Sequence, residues 1–309
     1  MCYSSQIAAA YQQYLKLTGA TIDLDQFREL YGFRHTDVSI RIPRVVDRWF
    51  QEPKNAAERE IKELIDQHRA ESIAKLESEV FAQRKRLADA ERKLQTKPTK
   101  AAGESRRIAG DKIEAALTRL TRLKATQPHP SEARIFPMHF APIVVQDGAR
   151  RVVRLARYHC RQAGKPASID RKFPGLYNAR RDNLEKFWRH EFGHSHAVML
   201  AESFYENVDR DGRNAVLHFV PRPASTMLVA CLLARWTDPE GGESLLSFAA
   251  VTDDPPPEVA AAGHDRMIVN LKPEHVDAWL TPAGRPLSEL QDILSDRNAP
   301  YYEHEVLAA

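Results

Sequence analysis

Hydrophobic positions recur along this chain in three different rhythms. In the first fifty residues, Ile7, Tyr11, Tyr14 and Leu15 share one helical face, and Leu24, Phe27, Leu30 and Tyr31 share another. That 3.6-residue period predicts two short amphipathic helices, the second capped by Asp23 or Asp25. Between 55 and 125 the apolar positions thin out. Ile73, Leu76, Val80, Leu87, Ala90 and Leu94 follow a heptad with a polar break at Gln83, and Lys97-Pro98-Thr99-Lys100 ends it. Ile113, Leu117 and Leu120 then mark one face of a second helix over about 105–124. The pattern predicts an antiparallel helical hairpin that projects from the body. After Pro128 and Pro130 the runs shorten. Segments 141–145, 151–155, 215–220, 227–233, 246–251 and 267–271 read as strands punctuated by Pro and Gly, while 182–196, 273–280 and 287–294 read as helices. Strands and helices do not alternate regularly, which argues against a doubly wound parallel sheet. The expected class is α+β, with curled antiparallel sheets around a barrel-like core, flanked by helices. The expected organisation is one domain built from 1–50 and 130–309, with the hairpin 55–125 inserted into it.

Composition adds limits. With 309 residues, of which 43% are hydrophobic, the chain can bury a sizeable core. Mean hydropathy is −0.50, and no apolar run approaches the roughly 20 residues of a membrane helix, so no membrane association is expected. The N-terminus carries no basic segment followed by an apolar stretch, so no secretory signal is expected. Three cysteines, Cys2, Cys160 and Cys231, cannot make a disulfide framework. A reducing, cytoplasmic location is the expectation.

Charge sharpens the picture. The net charge is +3, but ten Lys or Arg lie between 150 and 181 with only Asp170 opposing them. Residues 182–309 carry 10 basic and 21 acidic side chains. The basic stretch predicts either an anionic partner, with Tyr158, Phe173 and Tyr177 available to stack on bases, or internal pairing with the acidic half. The hairpin, with 17 basic and 12 acidic residues over 55–124, reads as a solvated helix pair or as a grip on nucleic acid or a protein partner.

The first candidate for chemistry is Cys2. Removal of Met1 would leave an α-amine and a thiol on adjacent carbons. The amine has a reference pKa near 8, adds to an aldehyde as a Schiff base, and lets the thiol close a five-membered thiazolidine at high effective molarity. Farther along stand Pro137-Met138-His139-Phe140-Ala141-Pro142, Tyr177-Asn178-Ala179-Arg180, Phe204-Tyr205-Glu206 and Gly263-His264-Asp265-Arg266-Met267. Taken in this order behind a second-position cysteine, they resemble the SOS response-associated peptidase family, whose members shield abasic sites in single-stranded DNA. The resemblance covers 1–50 and 132–306, and the hairpin looks like an insertion.

The resemblance implies specific roles. Cys2 would attack the open-chain aldehyde of an abasic deoxyribose and form a covalent thiazolidine crosslink. Asn178 would hydrogen-bond the ring or sugar. Glu206 would orient the α-amine and take its proton, and His264 would protonate the sugar oxygen released on ring opening. Arg180 would hold a flanking phosphate, with Arg157, Arg181 and Tyr177 as further DNA contacts. The partner implied is single-stranded DNA carrying abasic sites, the enzyme class an autopeptidase that cleaves at its own N-terminus, and no cofactor or metal is implied. The residue types suit the work independently: a carboxylate beside an ammonium as base, a histidine as proton donor, an asparagine offering both donor and acceptor. The chain departs from the family where Cys2-Tyr3-Ser4 replaces the usual Cys-Gly-Arg and where Asn207 stands for a usual Trp.

Two other function classes compete. His190-Glu191-Phe192-Gly193-His194 matches the H-E-x-x-H pattern of zinc peptidases, which needs both histidines on one helix face; a third ligand is missing, since Ala197 and Leu200 stand where the extended motif needs Gly and His. A non-catalytic nucleic-acid-binding protein would account for the basic stretch and the hairpin but not for Cys2, Glu206 and His264.

Overall fold

The structure is a computed structural model and describes residues 4–210 and 212–307. The chain divides into two compact units, one formed by Met1–Glu52 with Pro130–Ala309, the other by Pro53–His129. In chain order, β1 (Ser4–Ile7), α1 (Tyr11–Thr18), β2 (Thr21–Ile22), α2 (Leu24–Phe33) and α3 (Arg44–Asp47) open the first unit. Helices α4 (Ala56–Thr96) and α5 (Lys100–Lys124) form the second. The first unit resumes with β3 (Arg134–Ile135), β4 (Phe140–Asp147), β5 (Arg150–Tyr158), α6 (Ile169–Lys172), β6 (Asn178–Arg180), β7 (His196–Arg210), β8 (Arg213–Arg222) and β9 (Met227–Thr237). It ends with β10 (Ser244–Asp253), α7 (Pro257–Ala261), β11 (Met267–Ile268), α8 (Val276–Leu280), α9 (Leu287–Ser295) and β12 (Tyr301–Leu307).

The fold is α+β around a closed five-strand barrel. Strand β4 pairs with β5, β5 runs parallel to β10, β10 pairs with β9, β9 with β7, and β7 returns to β4. Closure removes the open edges that a sheet of this size would otherwise expose. Inward residues such as Val144, Val153 and Phe248 are fully buried. The run from Met227 to Leu232 is buried on both faces, which is why it reads as continuous rather than alternating. One device on the outer face is Trp279 of α8, whose indole N–H donates to the Ala197 carbonyl at 3.0 Å.

Strand β7 is longer than the barrel needs. Its first half, His196–Ala201, pairs with β9 inside the barrel. Its second half leaves the barrel to pair with β1 on one side and β8 on the other, and β12 extends β8. Burial continues through Ser203–Glu206 and turns to alternation only over 206–209, where Asn207 and Asp209 are exposed and Glu206 and Val208 buried.

Helices follow their local chemistry. Asp23 caps α2 by accepting from the Gln26 N–H at 3.2 Å, and Phe27 and Tyr31 turn their rings into the core. Ile7, expected on a helical face, lies in β1. In the second unit, Asn55 caps α4 and Thr99 caps α5 through side-chain oxygens. The α4–α5 seam buries Val80, Ala116 and Leu120, with Ile73 and Leu76 packed against them. Ala102, Ala109 and Ala116 recur every seven residues on the buried face of α5, where small side chains permit close approach of the two helices.

One predicted helix does not form. Residues 182–196 are a short 3₁₀ turn, Arg181–Asn183, followed by consecutive turns up to β7. Gly193 sits at φ +81°, where a Cβ would come within 2.7 Å of Leu287 Cδ2. A helix cannot continue through that conformation, and the chain instead folds back onto α9.

Candidate functional site

Cys2 lies outside the described residues. The structure begins at Ser4, which stands opposite Tyr205 in the β1–β7 ladder. Tyr205 is followed by Glu206, whose side chain points to the other face of the strand and is completely buried. Glu206 Oε2 lies 3.0 Å from His264 Nε2. His264, also buried, places Nδ1 2.7 Å from the Arg266 carbonyl oxygen and 3.3 Å from the Arg266 backbone N–H. Nε2 thus faces the carboxylate at ion-pair distance. Gly263, at φ +96°, adopts the left-handed conformation that lets the turn present the ring in this way.

Neither Glu206 carboxylate oxygen has a hydrogen-bond partner among the described residues. A fully buried carboxylate oxygen without a donor is costly and persists where a functional group or ligand answers it. Asn178 is buried on β6, and its Oδ1 lies 3.5 Å from the Tyr158 hydroxyl. Strand register ties it to the same end of the barrel. Asn178 is opposite Ala250 and Arg180 opposite Thr252, while Thr252 is also opposite Ile268, four residues after His264. Thus Glu206 and His264 are in direct contact, and Asn178 lies on β6, which pairs with the same strand, β10, as the β11 that follows His264.

The sequence did not single out the opposite face of the β7 wing. There, Ser4, Tyr205, His218 and Glu305 form one row across four strands. The Arg134 guanidinium lies 3.7 Å from the Tyr205 ring centroid, and its Nε donates to Ser4 Oγ at 2.8 Å. The His218 ring stacks on Tyr205 at 4.4 Å and contacts Ser203 Oγ and Glu305 Oε1. The Tyr205 hydroxyl donates to Gln6 at 2.9 Å. These contacts fasten β1, and with it the approach of the N-terminus, against the strand that carries Glu206. The only sequence signal was the aromatic inside Phe204-Tyr205-Glu206; Arg134 belongs to no motif.

The basic stretch proves largely neutralised. Arg157, expected at DNA, is buried and donates twice to Asp170, at 2.9 and 3.2 Å. Arg161 donates to the same carboxylate at 2.5 Å. Burial disfavours the ionised Asp170, but the hydrogen bonds and charges of Arg161 and Arg157 outweigh it and hold the carboxyl below its usual range. Arg154 bridges Asp23 and Asp147, and Arg151 pairs with Asp277. Tyr177, expected to stack on a base, is buried edge-on against Tyr158 at 5.6 Å. Arg181 is tied to Asp253, Gln291 and Ser295. Of the four DNA-contact candidates, only Arg180 is substantially exposed, paired at the surface with Asp182 at 2.6 Å.

The H-E-x-x-H segment does not assemble as zinc peptidases require. With no helix at 190–194, the i and i+4 positions do not share a helix face. His190 and His194 are exposed, whereas Glu191 is buried and accepts from Gln162 Nε2 at 2.9 Å. Burial raises the Glu191 pKa, against the opposing hydrogen bond from Gln162. His196 is a core residue: Nε2 accepts from the Gly193 N–H at 2.9 Å and Nδ1 contacts the Trp279 carbonyl at 2.9 Å. Burial lowers its pKa to about 3 despite the Trp279 contact. Among the described residues, no group of three His, Cys, Asp or Glu is placed to hold a metal ion. No described helix is long and apolar enough to cross a membrane.

Among solved structures, the chain is similar to a protein from Bordetella bronchiseptica, with 20% identity over 57% of this chain and 88% of that one and a TM-score of 0.48. A protein from Bacteroides thetaiotaomicron gives 17% identity over 57% and 77%, also with a TM-score of 0.48. A phage-related protein from Bordetella bronchiseptica gives 18% identity over 57% and 81%, with a TM-score of 0.44. No curated protein matches the chain. The family model described as SOS response associated peptidase matches residues 101–308, about two thirds of the sequence. The chain therefore belongs to the SOS response associated peptidase family, and its role lies in the response to DNA damage.

Proposed function

We propose that this protein binds single-stranded DNA and captures abasic sites through Cys2 once Met1 is removed. The observation that carries the reading is the buried Glu206 carboxylate, with neither oxygen hydrogen-bonded among the described residues and Oε2 3.0 Å from His264 Nε2, one residue beyond the cross-strand partner of Ser4.

The chemistry balances without a cofactor. His264 protonates the ring oxygen of the closed sugar as the aldehyde opens. Glu206 removes a proton from the terminal ammonium, and the free amine adds to the aldehyde carbon. Loss of water leaves an imine. The Cys2 thiol then adds across the C=N bond, its proton passing to nitrogen, and closes a thiazolidine. Asn178 holds the sugar through its amide, and Arg180 holds an adjacent phosphate. Self-cleavage at the N-terminus, the activity the family name describes, is the step that exposes the Cys2 amine. The protein works in the cytoplasm and joins the nucleoid when bound to damaged DNA.

An oligonucleotide with one abasic site, incubated with the protein, should yield a species that survives SDS and heat. Cys2→Ser should abolish the stable species. Glu206→Gln should slow its formation by on the order of 100-fold or more, the usual contribution of a positioned base. Equal crosslinking by wild type and Cys2→Ser would sink this reading.

A further inference from the structure

The hairpin divides electrically into two halves. Residues 84–107, the turn and the ends of the helices that flank it, hold nine basic and three acidic side chains, a net of +6. The remainder, 55–83 and 108–124, holds eight basic and nine acidic side chains, a net of −1. The distal half thus carries the whole positive excess of the insertion.

Pairing within that half leaves most of the charge uncompensated. Arg92 pairs with Asp89, and Arg107 with Glu104 and Asp111. Arg86 donates to Ser105 Oγ at 3.0 Å. Arg84, Lys85, Lys93, Lys97, Lys100 and Arg106 are exposed, and among the described residues no carboxylate lies within ion-pair distance of them. A cleft of about 470 Å³ opens between the two helices here, lined by Lys85, Arg86, Lys93, Thr99 and Ser105 among others. From Arg84 to Lys97 the helix rises about 20 Å at 1.5 Å per residue, a length that faces roughly six phosphates of one strand at 3.4 Å each.

No Phe, Tyr, Trp or His occurs between 84 and 107. A surface that read unpaired bases would need stacking platforms; this one offers charge and hydroxyls only, the chemistry that meets a phosphate backbone.

We propose that the distal half of the hairpin is a sequence-independent polynucleotide-backbone site that accepts duplex as readily as single strand. It adds to the DNA reading of the Cys2 site a second, non-covalent foothold that holds nucleic acid without a lesion.

The test uses the full-length protein and a lesion-free duplex, with affinity measured by fluorescence anisotropy across salt concentrations. Replacing Lys93, Lys97, Lys100 and Arg106 together by Gln should lower the slope of log affinity against log salt by about 3.6, at about 0.9 for each of four duplex contacts, and weaken binding at 0.1 M salt by on the order of 1,000-fold. The companion variant with Lys75, Lys112 and Arg119 replaced by Gln, in the near-neutral half, should keep the wild-type slope. An unchanged slope in the first variant, an equal fall in the second, or equally tight binding of poly-glutamate would each overturn the proposal. Circular dichroism should show unaltered helix content, because every substituted position is exposed. The two readings fail separately: Cys2→Ser should lose the crosslink and retain the slope, and the hairpin variant should still crosslink abasic DNA at saturating concentration.

Discussion

Two regions of this molecule are rich in arginine and lysine, and they use charge in opposite ways. In the barrel unit, the stretch 150–181 is laid along β5 and the loops after it, where Asp170, Asp23, Asp147, Asp277 and Asp253 reach in from separate elements to meet its guanidinium groups. In the hairpin, the exposed Arg84, Lys85, Lys93, Lys97, Lys100 and Arg106 have no carboxylate within ion-pair distance among the described residues. The former is mortar for the fold; the latter projects a field into solvent. The run with the larger net positive charge in the sequence is therefore the more fully compensated one, because burial with a partner removes a charge from the surface while exposure without one leaves it there.

The comparison breaks first if Asp170 proves dispensable. This carboxylate holds two arginines that are nearly buried, with His159 Nδ1 also 3.6 Å away. Asp170→Asn should destabilise the protein by about 3–5 kcal/mol, the range for leaving buried charge unpaired. Urea unfolding measures it directly. A loss below 1 kcal/mol would mean that the cluster is solvated like the hairpin tip. The Asp170 carboxyl is held below its unfolded value, so its contribution is complete above about pH 4 and fades as pH falls through the lowered value. The hairpin quadruple variant should, by contrast, change stability by no more than about 0.5 kcal/mol.

A second, smaller effect separates buried from exposed histidines. His196 is neutral in the fold with its pKa lowered to about 3, whereas an unfolded histidine titrates near 6.5. Its contribution is present above pH 6.5 and declines as pH falls toward 3, because the unfolded chain takes up the proton first. Between pH 7 and pH 5 this residue alone should remove about 2 kcal/mol of stability. Comparing wild type with His196→Gln at the two pH values isolates it, since the difference between them should shrink by that amount at pH 5. An unchanged difference would place His196 outside the core.

Much of this architecture is written in local pattern. The heptad from Ile73 to Leu94 and the break at Lys97-Pro98 specify the hairpin, and the turn residues between apolar runs specify several barrel strands. Asp23 as a cap is legible for the same reason, since capping uses only neighbours. What escaped is whatever depends on partners far away in sequence. Strand β7 is buried almost continuously from His196 to Glu206 because its two halves are covered by different strands, and the turns before it include Gly193, where Leu287 leaves no room for a Cβ. The short strands β1 and β6 form because long neighbours offer them ladders. At the site, the motif residues Glu206 and His264, 58 positions apart in sequence, lie 3.0 Å from each other. Arg157 and Tyr177 looked available only because Asp170 and Tyr158, which bury them, are recognisable as partners once the chain is folded.

Arg180 is the finest discriminator between the two regions, because it belongs by sequence to the buried stretch and by exposure to the open one. Its guanidinium meets Asp182 at 2.6 Å, with both side chains substantially exposed. The bond to Asp182 raises the Arg180 pKa and lowers that of Asp182, yet solvent screens such a pair, so Arg180→Ala should alter stability by less than about 0.5 kcal/mol. A phosphate would compete with Asp182 for the same donors. Arg180→Ala should therefore reduce the salt slope for single-stranded DNA by about one, at roughly 0.7 per contact, and Asp182→Asn should strengthen binding modestly by releasing the guanidinium. If the two variants bind DNA alike, the Arg180–Asp182 pair is a surface clasp of the fold, and the barrel unit meets DNA through other groups.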